Sequence, residues 1–138
     1  MITKEINENR KLISAFMGYE FADIGYFDDE DETEWQRKNQ DWMKQNDLED
    51  IGEYFVNIKE NKWHEFDDAI YHLSFDWLMP VVEKIEKMDY GFKMRRKVVE
   101  VYIDSTKEVI LKTKESCRME SLFKAVVEFI NWYNDNKK

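Results

Sequence analysis

The sequence predicts an α+β fold, about three amphipathic helices packed on a small, mainly antiparallel sheet, and three observations lead there. Apolar residues recur at helical spacing in three separate stretches, and they alternate at strand spacing between Val98 and Ile103. Only one proline and four glycines interrupt 138 residues, which favours long regular elements over elaborate loops. A helix has one apolar face to bury and a half-buried strand has one apolar side, so helices laid on a sheet satisfy both. The length fits a single domain spanning 1–138, and a 43% apolar, 15% aromatic composition supplies one core without metal or disulfide staples.

In chain order, Ile2, Ile6, Leu12, Ile13, Phe16 and Met17 mark a helix over about Thr3 to Met17. Gly18 is its expected stop, because glycine takes the left-handed cap conformation at little cost. Tyr19 to Phe27 fits a strand or an irregular packed segment. Six acids in seven positions follow, Asp28, Asp29, Glu30, Asp31, Glu32 and Glu34 around Thr33, and their mutual repulsion predicts an exposed acidic loop. Trp35, Trp42 and Met43 lie in a very polar stretch that fits either a helix with a sparse apolar face or a loop tethered by two indoles. Ile51 to Ile58 has partial strand character. A second helical region is expected from near Trp63 through Phe66, Ala69, Ile70 and Leu73. A break capped by Ser74 or Asp76 then leads into the stronger pattern Phe75, Leu78, Met79, Val82, Ile85 and Met88, because Pro80 disfavours one unbroken helix.

After Gly91 the period changes to two. Val99, Val101 and Ile103 share one side of a strand, Asp104-Ser105-Thr106 reads as a turn, and Lys107 to Thr113 returns as the second arm of a hairpin. Phe92 to Met94 should be extended ahead of it. The last helix is the clearest element, with Met119, Leu122, Phe123, Val126, Val127, Ile130 and Tyr133 in one stripe and fraying expected over 135–138.

Charge narrows the functional classes. A formal net charge of -9 repels nucleic-acid phosphate at long range and attracts basic surfaces, so the expected partner is another protein with a basic surface, and direct nucleic-acid binding is disfavoured. No apolar run is long enough to span a bilayer, and no apolar leader follows Met1, which points to a cytoplasmic protein with no membrane partner. The lone Cys117 reads as a plain thiol, unable to form an internal bridge or a cysteine-rich metal cluster.

Few residues suggest chemistry. His64, Asp68, His72 and Asp76 recur every four positions, and on a continuous helix such a ladder offers nitrogen and carboxylate ligands for zinc or a similar ion. Each four-residue step overshoots a turn, so the first and last members would stand about 120° apart. The isolated glycines form no phosphate-cradling loop and no serine sits in a hydrolase elbow. No cofactor is implied. Met94-Arg95-Arg96-Lys97 is the one compact basic run, beside a strand containing Tyr102; a nucleic-acid patch needs aromatics and cations on one exposed face, and three charges within a strongly negative molecule read instead as a solvated strand start.

Three stretches carry a resemblance: Asn9-Arg10-Lys11-Leu12-Ile13 through Phe16-Met17-Gly18, Tyr71-His72-Leu73-Ser74-Phe75-Asp76-Trp77-Leu78-Met79-Pro80-Val81-Val82-Glu83-Lys84-Ile85, and Ala125 to Asn134. Together they resemble a group of small uncharacterised proteins of Bacteroidetes-type bacteria and their phages, in which a tryptophan often stands where this chain has Phe75. The resemblance implies a phage or mobile-element context and carries no activity with it. The expected function is therefore a non-catalytic, protein-binding accessory factor, with Trp35, Trp42, Trp63 and the acids from Asp28 to Glu34 as contact residues. An acidic DNA-mimicking inhibitor and a small metal-dependent hydrolase built on the histidine ladder are the alternatives.

Overall fold

The computed structural model describes residues 3–25 and 32–136. The α+β class holds, but the strands form two three-stranded antiparallel sheets in place of one. The chain divides into two compact units, one comprising Met1–Ile13 with Ile70–Lys138 and the other Ser14–Ala69.

Helix α1 spans Thr3–Phe16. It ends in a Schellman turn: the Gly18 amide donates to the Ala15 carbonyl at 3.0 Å and the Tyr19 amide to the Ser14 carbonyl at 2.9 Å. Gly18 has φ +93, the left-handed conformation this cap requires.

The Ser14–Ala69 unit contains β1 (Glu20–Ile24), the short helices α2 (Glu34–Lys38) and α3 (Gln40–Gln45), β2 (Gly52–Asn57), β3 (Lys62–Glu65) and a 3-10 turn over Phe66–Asp68. The sheet order is β1-β2-β3. Thr33 caps α2 through a capping box with Gln36. The fully buried Gln36 amide also accepts from Gly25 N at 3.1 Å and donates to Gly25 O at 3.1 Å, which ties the end of β1 to α2. Trp42, Met43 and Leu48 close over Ala22, Ile24, Tyr54 and Val56 as the core.

The helix expected from Trp63 is not formed. Trp63 pairs with Val56 and His64 with Phe55 across a β2–β3 hairpin. Its turn is set by local polar chemistry: the Asn57 side chain accepts from Glu60 N at 3.0 Å, and Asn61 takes φ +54. Asparagine suits both tasks, and sheet pairing overrides the weak helical spacing of the apolar residues around it.

The other unit holds α4 (Phe75–Glu86), β4 (Tyr90–Arg95), β5 (Val98–Ile103), β6 (Val109–Lys114) and α5 (Arg118–Asn136). Ser74 is the N-cap residue of α4, so the break ahead of it stands, while Pro80 lies inside the helix. Being exposed, its ring does not disturb the buried face of Leu78, Val81, Val82 and Ile85. The sheet order is β4-β5-β6. Helix α5 packs on β5 and β6, and α4 packs against β4. Val99 and Val101 are wholly buried, as are Leu122, Ala125, Val126 and Phe129 of α5. Helix α5 continues through Asp135 and Asn136, where fraying was expected; Lys137 and Lys138 lie outside the described residues.

Candidate functional site

The three tryptophans expected as contact residues pack into their own unit, whereas Glu34 is exposed. Trp42 is 9% exposed and its indole donates to Asn61 Oδ1 at 3.1 Å. Trp63 is half-buried, and its indole donates to Asn46 O at 3.0 Å. Trp35 meets Trp42 edge-on at 6.4 Å. Its indole N–H is buried without a hydrogen-bond partner among the described residues. All three indoles seal the core of their own unit. Of the acidic run, Asp28, Asp29, Glu30 and Asp31 lie outside the described residues. Glu32 accepts from Gln40 at 2.8 Å, and Glu34 begins α2, paired with Lys38 at 2.9 Å.

The histidine ladder has no helix to stand on. His64 is on β3, Asp68 in the 3-10 turn, His72 in the turn before α4 and Asp76 in the first turn of α4. The first two belong to one unit and the last two to the other. No group of three or more His, Cys, Asp or Glu is placed to hold a metal ion among the described residues. His72 instead borders a hollow of about 200 Å³ with Ile6, Leu73, Glu115, Glu120 and Phe123. Burial holds its imidazole below the usual histidine range, with the Arg10 charge adding to the effect.

A larger feature lies on the side of β4-β5-β6 that turns away from Val99 and Val101. An open groove of about 620 Å³ is lined by Lys93, Arg95, Arg96, Lys97, Val98, Glu100, Lys112 and Lys114. Strand alternation puts these residues together. Lys93, Glu100 and Lys112 form one row across the sheet, and Arg95, Val98 and Lys114 form the next. Arg96 and Lys97 make the β4–β5 turn. Six cations therefore surround one carboxylate, and among the described residues none of the six is in an ion pair.

Two devices hold this surface in shape. Ser121, fully buried at the start of α5, donates from its hydroxyl to Lys97 O and accepts from Glu115 N at 2.8 Å. Thr113 adds a bond to Ser121 O at 2.7 Å. The helix thus fixes both the basic turn and the end of β6. In the third row, Gly91 and Val109 flank Tyr102, and the tyrosine ring lies over Gly91, where only a missing side chain leaves room. Lys107 Nζ stands 5.4 Å from the ring centroid.

The basic run around Arg95 was visible in the sequence. The convergence of Lys93, Lys112 and Lys114 on it was not, because that depends on the register of three strands. The whole-chain charge also conceals a segregation. Of the 30 acidic and 21 basic residues, 17 and five fall within Ser14–Ala69, a balance of -12, which leaves 13 and 16, a balance of +3, in the other unit. Comparison with protein-family models, with curated proteins and with solved structures finds no match to the chain.

Proposed function

We propose that the protein is a non-catalytic binding factor that holds a polyanionic partner on the open face of β4-β5-β6, in the phage or mobile-element context that its sequence resemblance implies. The observation that carries this reading is the arrangement of six cations around a single carboxylate, four on one exposed sheet face and two in its β4–β5 turn, none of them in an ion pair among the described residues. Cations left without partners keep their full attraction for an incoming anion, and a rigid sheet fixes their spacing before the partner arrives. The test is retention on an immobilised polyanion such as heparin at low salt. Retention that is lost in a Lys93→Glu, Lys112→Glu, Lys114→Glu triple variant supports the proposal; equal retention of both proteins contradicts it.

The -12 balance of Ser14–Ala69 favours a second reading in parallel, a basic protein drawn to that unit, of which a DNA-mimicking inhibitor is the narrow form. Affinity capture with the acids from Asp28 to Glu34 changed to their amides tests it. Capture of the same basic protein with undiminished yield would remove those acids from the contact.

A further inference from the structure

Resting on that reading of the β4-β5-β6 face, we infer that its partner is a single-stranded nucleic acid, with bases over β5 and phosphates over β4 and β6. The distribution of side chains across the three strands leads to this partner. Cations occupy both flanking strands, Lys93 and Arg95 on β4 and Lys112 and Lys114 on β6, while the central strand carries Val98, Glu100 and Tyr102. Flanking strands in a sheet lie about 10 Å apart, and alternate side chains along a strand repeat at about 7 Å. That spacing gives two cationic rails with a less charged, partly aromatic floor between them. Sheet surfaces that bind single strands use this division of labour, with aromatic rings on central strands for the bases and cations for the backbone.

Each central residue suits a base better than a phosphate. The Tyr102 ring rests on Gly91 and so presents a supported π-face, and Val109 beside it is 48% exposed. Glu100 would repel a phosphate but can accept from an N–H on the Watson–Crick edge of a base, such as the N3–H of thymine or uracil. Lys107, over the ring, is 70% exposed and held by an Asp104 pair at 2.9 Å. A pair so exposed is weak, and a stacking base displaces the ammonium toward the backbone. A duplex keeps its bases inward and leaves Tyr102 unused. An acidic polypeptide would bring its carboxylates against Glu100 and has no bases to stack. The overall negative charge is not that of this unit, which is net +3, and any acid more than about 8 Å from the face is largely screened at physiological salt.

Fluorescence anisotropy of the whole protein with labelled oligothymidylate, oligouridylate, a duplex of equal length and polyglutamate tests the inference. Binding of either single strand is expected, weakened about tenfold by Tyr102→Ala and largely restored by Tyr102→Phe, since stacking needs the ring and not the hydroxyl. Polyglutamate binding should not respond to Tyr102→Ala, which separates loss of stacking from misfolding. If polyglutamate or heparin binds and neither single strand does, the inference is overturned while the polyanion reading stands. Duplex binding equal to single-strand binding, with no effect of Tyr102→Ala, also overturns it. If no polyanion binds at all, both fall.

Discussion

Tyr102 lies so close to Gly91 that a Cβ at position 91 would come within 2.4 Å of the tyrosine Cζ. The glycine is needed for space, since its φ is not in the left-handed region. Gly91→Ala should therefore push the ring off the sheet and destabilise the protein by about 1–3 kcal/mol, the usual effect of overpacking. In a Tyr102→Ala background the same change should have little effect. A double-mutant cycle on urea unfolding checks this, and additive penalties would show that the contact does not constrain the ring.

Arg96 occupies the β4–β5 turn with φ +56, a conformation that a side chain disfavours by about 1–2 kcal/mol. Arg96→Gly should remove that strain and raise stability by about 1 kcal/mol, while subtracting one cation from the face. The turn's anchoring bonds use main-chain carbonyls, Arg96 O from Arg118 and Lys97 O from Ser121, so they survive the change. Thermal unfolding and heparin elution should move in opposite directions, Tm up and eluting salt down.

For the tryptophans, a core role and a contact role make different demands. Trp42→Ala should unfold or strongly destabilise its unit, by about 3–5 kcal/mol. Trp42→Phe should cost more than Trp35→Phe, because the first strands Asn61 Oδ1 and the second removes an indole N–H that is buried without a hydrogen bond. Denaturant titration of the three variants decides the order.

The sequence was most legible where apolar periodicity is long and strong. Helix α5 and the β5–β6 hairpin appear where Leu122 to Ile130 and Val99 to Val101 place them, since each buries a full face in its own unit. Trp63 to Leu73 misled because few apolar residues, widely spaced, fit a helix on spacing alone; the Asn57 and Asn61 turn chemistry was the signal that pointed to a hairpin. The cationic face was half-legible. Arg95, Arg96 and Lys97 are adjacent in sequence, but Lys112 and Lys114 join them only through pairing with Glu100 and Val98. Whole-chain charge conceals the cationic face because it sums two units of opposite sign.

Acid should weaken the fold through its histidines. Burial is the leading cause that holds both His64 and His72 below the ordinary value of 6.5; Asp68 partly opposes it at His64, and Lys62 and Arg10 respectively add to it. Between those lowered values and about 6.5 the unfolded chain binds more protons than the folded one, so stability rises with pH across that window. Their contribution is complete above about pH 6.5 and is lost as pH falls toward the depressed values. Urea midpoints at about pH 7.5 and about pH 5.5 should differ, and His72→Gln should reduce the difference. A midpoint that is unchanged by pH would show that neither imidazole is held neutral by the fold.

If the β4-β5-β6 face binds through its charges, the signature is the salt dependence of oligothymidylate affinity. If four of the six cations meet phosphates, log Kobs should fall against log salt concentration with a slope of roughly -3, made shallower by about 0.7 for each of Lys93, Arg95, Lys112 or Lys114 changed to alanine. A slope near zero, or one that those substitutions leave unchanged, would contradict the assignment of this face as the binding surface.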